Sequence, residues 1–249
     1  MITIKSKREI DIMREAGKLV ALAHEYLKKQ IKPGISTKRL DQMAEKFILK
    51  HGATPSFKGY NDYPAAICTS VNEVVVHGIP SKDVILKEGD IIAIDIGVYY
   101  KGYHGDGAWT YPVGKISDAD KKLLQITKES LYEGIKQAVN GNRVSDISAA
   151  IENFIKQYGY GIVEEFTGHG IGQNLHEQPF VPNFGKPGRG AILKPGMTIC
   201  IEPMINRGNK QIEILADNWT TVTKDKSNSA HFEHMIAIKE DGYEILTEL

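Results

Sequence analysis

The sequence predicts an α+β fold made of two related halves, and three observations predict it. Apolar residues recur at helical spacing in two separate blocks, and each block is followed by β-branched apolar runs of strand length. A constant offset of 107 residues carries Gly34 onto Gly141, Phe47-Ile48 onto Phe154-Ile155, and Gly52 onto Gly159. The same offset lays ILKEGDIIAID (85–95) over ILKPGMTICIE (192–202), so that Asp95 falls on Glu202. Chance supplies one such match, but hardly all of them at a single offset. We therefore expect a duplicated α-α-β unit with a pseudo-twofold axis, and an active site where the two acid-bearing strands meet. A solenoid would need more repeats at a shorter period. The expectation is one domain over residues 1–249, with internal halves at about 5–112 and 113–249.

Taken in order, residues 5–30 carry a helical stripe (Ile10, Met13, Ala16, Gly17, Val20, Ala23, Leu27) that stops before Lys32-Pro33-Gly34. A second helix runs from about Thr37 to His51 and is closed by Gly52. The Gly/Pro/aromatic stretch 53–65 reads as a loop, and AAICTSVNEVVVHG as a short strand. Residues 91–106, IIAIDIGVYYKGYHGD, read as a hairpin with an acid in each arm, turning at Tyr100-Lys101. A third helix starts near Ser117, with Asp120 placed for a capping box, and ends around Asn140-Gly141. A fourth spans about Ser145 to Tyr158, closed by Gly159, and a β-rich stretch follows from about 161 to 247.

Composition narrows the function classes. Lys+Arg and Asp+Glu each total 31, with no basic stripe or charged tail, so nothing points to nucleic acid. The N-terminus is charged from the start and lacks a secretory apolar core. No apolar run approaches the roughly 20 residues that span a bilayer. Cys68 and Cys200 are too few for a disulfide framework and have no CxxC spacing. A soluble cytoplasmic protein is expected.

The acids carry the chemistry. Asp95 sits inside Ile91, Ile92, Ala93, Ile94 and Ile96, so its carboxylate has lost most of its water. With the turn at Tyr100-Lys101 it faces Asp106, and directly opposed residues have Cβ atoms roughly 4.5–5.5 Å apart. Two like charges there destabilise the pair unless something positive lies between them, and no Lys or Arg sits on that face of either arm. Alone, the pair also reads as a turn-flanking acid and a buried acid satisfied by backbone N–H groups. Glu202 ends the run TICIE before a proline, and its echo of Asp95 argues against an edge acid facing water. Glu233, in SAHFEHMIAI, is flanked by His231 and His234, each of which reads equally as a solvated or a satisfied side chain. His169 lies among Gly168, Gly170 and Gly172, which suits close approach of backbone to a ligand, and His176 follows. His77 ends an apolar strand; His24, His51 and His104 read as ordinary helix or turn residues. Asp95, Asp106, His169, Glu202 and Glu233 form a carboxylate-dominated set without thiolate, unlike a structural zinc site. It suits two divalent ions of the Mn, Fe or Co kind, about 3.5–4 Å apart, which activate water for attack on a carbonyl.

The phrases NEVVVHGIP, DIGVYYKGYHGDGAWT, GHGIGQNLHEQP, ICIEPMIN and HFEHMIAI resemble the type I methionine aminopeptidases, over essentially the whole chain. The resemblance implies the pita-bread fold, in which helices cover a curved central antiparallel sheet. It implies two divalent ions (Co, Mn, Fe or Zn): Asp95 on one, His169 on the other, Asp106 and Glu233 bridging, and Glu202 as a ligand that also handles the proton. His176 then hydrogen-bonds the scissile carbonyl and His77 the neighbouring peptide nitrogen. The methionine pocket maps to Phe57, Tyr60, Tyr63, Cys68, Trp219 and Leu175, aromatics that suit a flexible thioether. Leu175 and Phe57 differ from the residues of some relatives, a difference the resemblance implies for inhibitor binding and not for the reaction. A monovalent cation near Asn72, Val74 and Ser229 is a further implication. The implied task is removal of initiator methionine from nascent chains at the ribosome, before a small second residue, by a monomer. The runner-up is an Xaa-Pro peptidase of the same fold, whose members usually carry an extra N-terminal domain. A binding module that has lost catalysis would be expected to have lost ligands, whereas all five acids and imidazoles are present.

Overall fold

The computed structural model describes residues 2–249. The first half contains α1 (Lys7–Lys28), α2 (Thr37–Lys50), β1 (Thr54–Pro55), β2 (Cys68–Val71), β3 (Val74–Val76), β4 (Ile91–Tyr100) and β5 (Tyr103–Pro112). The second contains α3 (Asp118–Ile135), α4 (Val144–Ile155), β6 (Gly161–Ile162), β7 (Gly168–Gly170), β8 (Glu177–Val181), β9 (Thr198–Ile201) and β10 (Met204–Asn206). It continues through β11 (Ile212–Ile214), β12 (Thr221–Thr223), β13 (Ser229–His231), β14 (His234–Lys239) and β15 (Gly242–Ile245).

Local chemistry sets the helix ends. Ser6 and Glu9 form a reciprocal capping box at the start of α1, and Ser36 caps α2 by accepting from the Arg39 N–H at 3.2 Å. The apolar stripe of α1 packs on the β4–β5 hairpin so closely that a Cβ on Gly105 would lie 2.7 Å from the Ala16 carbonyl carbon. Ser117 caps α3, accepting from the Asp120 N–H at 3.1 Å. The Asp120 carboxylate does not complete the expected capping box. It accepts from the Ser117 hydroxyl (2.6 Å), Arg207 (2.8 Å) and Asn228 (2.8 Å), tying α3 to the sheet edge instead. Helix α3 also ends at Ile135, short of the expected Asn140, because the tail winds into three-residue turns before Gly141 at φ +92°.

The duplication is visible in the backbone. The Gly34 N–H donates to the Leu86 carbonyl at 2.8 Å, and Gly141 to Leu193 at 3.0 Å. Leu86 returns a bond to Ile35 (2.9 Å), as Leu193 does to Asn142 (2.7 Å). The isolated bridges Ser36–Ile85 and Arg143–Ile192 repeat at the same offset, and β4 and β9 begin at equivalent positions. One sheet has the order β1-β4-β2 with β5 on the free side of β4; another runs β15-β14-β9-β7-β8. Smaller sheets, β13-β10-β6 and β11-β12-β3, complete the layer. Helices α1 and α2 bury Val20, Leu27, Leu40 and Ile48 against Ile92, Ile94 and Ile96 of β4. Helices α3 and α4 do the same with Leu123, Leu131, Ile147 and Ile151 against Ile199, Ile201 and Ile236.

Two expectations are corrected here. The stretch AAICTSVNEVVVHG is not one strand but two: Asn72 at φ +54° breaks it, and β2 and β3 join different sheets. The acid-bearing hairpin turns at Lys101-Gly102, with φ +49° and +92°, rather than at Tyr100-Lys101. Glycine takes the left-handed second position of that turn at no steric cost. Asp95 therefore opposes Ala108, and Asp106 opposes Gly97. A slip of two residues keeps every side chain on its face, so the acids remain diagonal neighbours on one surface.

Candidate active site

The two hairpins meet at their acids. Glu202 directly follows β9 and Glu233 directly precedes β14, and the Glu233 N–H donates to the Ala108 carbonyl of β5 at 2.8 Å. That bond draws the second half's acids against Asp106. Ligand-capable atoms of Asp106, His169, Cys200 and Glu233 all lie within 4.8 Å of one another, and all four side chains are buried. Glu202 reaches 3.6 Å from His169 Nε2, which is 4.0 Å from Asp106 Oδ2. His169 Nδ1 lies 2.9 Å from the Gly170 carbonyl, which can only accept, so Nδ1 carries the proton and Nε2 turns its lone pair to the acids. The five residues read from the sequence are thus brought together, all at strand positions or strand ends.

Two further groups join them. Cys200 lies two residues before Glu202, on the same strand face, and the strand period was the signal available for it. Burial pushes its thiol pKa up, so it stays protonated. His231 Nε2 sits 3.4 Å from Glu202 Oε2, fully enclosed; the sequence reading had left this residue open between solvent and core. His104, read as an ordinary turn residue, is partly buried and bonded through Nδ1 to Ser56 at 2.8 Å.

The electrostatics are set by burial of several acids side by side. Burial pushes the Asp95 carboxyl up to about 6. Burial first, and then the neighbouring acids, hold Asp106, Glu202 and Glu233 well above the usual carboxylate range. Burial also holds His169 down to about 3 and His77 down to about 4, so both imidazoles are neutral. Asp95 Oδ1 and Glu233 Oε1 are buried with no hydrogen-bond partner. No Lys or Arg lines the cavity above them. Buried acids without a partner are strongly unfavourable, and hard oxygen donors with one oriented imidazole fit divalent cations.

The cavity above the acids has a volume of about 250 Å³. Phe57, Tyr60, Tyr63, Cys68, Leu175 and Trp219 line it together with His77, His176 and the acids. Tyr63 and Trp219 meet edge-on at 5.0 Å, and the Tyr63 hydroxyl donates to the Gly78 carbonyl at 3.1 Å. His77, at φ +58°, is clamped edge-on between Phe166 (5.2 Å) and Trp219 (5.9 Å). Asn72 and Ser229 also meet, the Ser229 N–H donating to the Asn72 carbonyl at 2.8 Å, with Val74 beginning the adjacent β3.

This architecture and donor set define a metal-dependent peptidase, and the chain belongs to metallopeptidase family M24, whose model matches residues 11–240. Within the family it is 59% identical over 249 residues to methionine aminopeptidase 1 of Bacillus subtilis, covering 100% of both chains. It is 50% identical to the methionine aminopeptidase of Clostridium acetobutylicum, covering 99% of each. The crystal structure of methionine aminopeptidase from Thermotoga maritima superposes with a TM-score of 0.98 at 43% identity, over 100% of both chains. Xaa-Pro dipeptidase from Bacillus anthracis gives 0.81 at 28% identity, and the chain spans 62% of that protein. These neighbours share the pita-bread fold expected from the sequence.

Proposed function

We propose that the chain is an aminopeptidase that hydrolyses the peptide bond after an N-terminal methionine. The observation that carries this reading is an aromatic-lined cavity of about 250 Å³ whose lining includes the carboxylate–imidazole cluster, a surface suited to a flexible thioether side chain. Its similarity in sequence over full length to methionine aminopeptidases favours it over the Xaa-Pro alternative. Asp95, Asp106, His169, Glu202 and Glu233 would hold two divalent ions (Co, Mn, Fe or Zn). Bound there, the ions supply positive charge that activates water and offsets the oxyanion of the attacked carbonyl. The protein does the rest. The pocket seats the methionine side chain and so fixes the scissile bond over the acids. Glu202, at the end of β9 beside the other acids, takes a proton from the attacking water and returns it to the leaving amine. His176 donates to the scissile carbonyl, and His77 contacts the adjacent peptide nitrogen. We extend the reading to nascent chains with a small second residue, met at the ribosome by a cytoplasmic monomer. The described residues include no helix long and apolar enough to cross a membrane. A monovalent cation held by the Asn72 and Val74 backbone with Ser229 belongs to the same proposal.

Variants Glu202→Gln and His176→Ala test it. Each should fold with wild-type circular dichroism yet lose about 10²–10⁴-fold in kcat for Glu202→Gln, and less for His176→Ala. Near-wild-type turnover in either variant would overturn the role assigned to that residue.

A further inference from the structure

The loop over the cavity ends in a contact that the reaction outlined above does not yet use. The Tyr60 hydroxyl lies 2.7 Å from His176 Nδ1, across 116 residues of sequence. The two rings meet edge-on at 5.2 Å, and the other side of the His176 ring stands edge-on to His169 at 4.3 Å. His176 therefore touches a metal-ligating candidate and a phenol while part of its ring stays open to solvent. The loop that presents the phenol is tightly defined. Gly59 donates to the Tyr63 carbonyl (2.8 Å) and Tyr60 to that of Phe57 (2.9 Å), and Tyr63 donates back to the Tyr60 carbonyl (2.9 Å). Asn61 and Asp62 are held at φ +46° and +66°, backbone conformations that persist where the surroundings over-determine them and that cluster at functional sites.

A neutral imidazole has one donor and one acceptor nitrogen. If Nδ1 carried the proton, the phenol would be the acceptor and its own O–H would have no protein partner. Nε2 would then carry only a lone pair and could give the scissile carbonyl no hydrogen bond. If the phenol donates to Nδ1, Nε2–H becomes the donor that the proposed role requires. We propose that Tyr60 is a positioning residue for His176: its O–H donates to Nδ1 and fixes the tautomer and ring orientation that present Nε2–H to the scissile carbonyl. The proposal rests on the donor role given to His176. It makes the loop that walls the methionine pocket also the element that sets the carbonyl-polarising group, so both tasks depend on one rigid turn.

The test uses metal-loaded enzyme at one fixed pH with the peptide Met-Ala-Ser, comparing wild type, Tyr60→Phe, His176→Ala and the double variant. Phenylalanine keeps the ring in the wall and removes only the hydroxyl. We expect kcat to fall about tenfold in Tyr60→Phe, with KM within about twofold, the size of effect one lost hydrogen bond gives. The double variant should be no slower than His176→Ala, since the phenol acts through the imidazole. A readout independent of turnover is the ¹⁵N–¹H correlation pattern of His176 in zinc-loaded protein. Wild type should show the Nε2–H tautomer alone, and Tyr60→Phe a mixture of both. Unchanged kcat with an unchanged tautomer pattern in Tyr60→Phe would overturn the proposal, as would an equal loss from Tyr60→Phe in the His176→Ala background. Full activity in His176→Ala would instead refute the donor role itself, and the proposal with it.

Discussion

Removing the charge at Asp95 should stabilise the metal-free protein while destroying its metal site. Asp95 lies mid-strand with Oδ1 buried and unpartnered, and burial raises its carboxyl from the ordinary 3.8 to about 6. Because the folded-state value is raised, stability from this group is fully present below about 4 and is lost as pH rises through about 6. At pH 7.5, above both values, ionised Asp95 costs the metal-free fold roughly 3 kcal/mol. Asparagine has the same shape without the charge, but its N–H₂ needs partners, which gives back about 1 kcal/mol. Metal-free Asp95→Asn should thus gain about 2 kcal/mol, or roughly 4–8 °C in Tm for a chain of this size. The assay is thermal unfolding by circular dichroism in chelator at pH 7.5, repeated at pH 5 and with added Mn or Co. The gain should shrink at pH 5, where wild-type Asp95 is largely protonated, and added metal should raise Tm in wild type much more than in the variant. A metal-free variant no more stable than wild type at pH 7.5, or one with the full metal-induced shift, would refute the reasoning.

Other outcomes follow from the same site. Since Asp106, Glu202 and Glu233 hold protons to unusually high pH, bound metal must displace them. Apparent metal affinity measured by titration calorimetry should therefore still rise with pH above the ordinary carboxylate range, with protons released to buffer; a flat profile would contradict the assignment. At Gly97, opposite Asp106, an added Cβ would lie 2.5 Å from Phe57 Cε1 and 2.8 Å from Ser56 Cβ. Gly97→Ala should push the Phe57 wall into the pocket, raising KM for Met-Ala-Ser several-fold while metal content by elemental analysis stays at the wild-type value.

Much of this was legible from the sequence because it is written in local patterns. The 107-residue echo survives as paired backbone bonds around Gly34 and Gly141, and it lays Asp95 of β4 over Glu202 at the end of β9. The misses have physical causes. The hairpin register slipped by two because the left-handed turn belongs to Lys101-Gly102, yet the slip preserved the face and hence the site. Asn72 split a strand through a positive φ that apolar patterning does not record. Asp120 abandoned its capping box for Arg207 and Asn228, partners supplied by tertiary contact. His231 and Cys200 have the right strand period, but only the meeting of the two halves shows that they face the acids. The Tyr60–His176 bond has no sequence signal at all, since a loop and a distant strand end make it.

The most direct test of the central claim is peptide cleavage by chelator-stripped protein, before and after restoring Mn, Co or Fe, with Met-Ala-Ser offered beside Ala-Pro-Ser. Release of methionine alone, dependent on added metal, is the predicted result. Cleavage of the proline peptide instead would keep the metal chemistry and contradict the pocket assignment, and no cleavage of either with metal bound would contradict the peptidase reading itself.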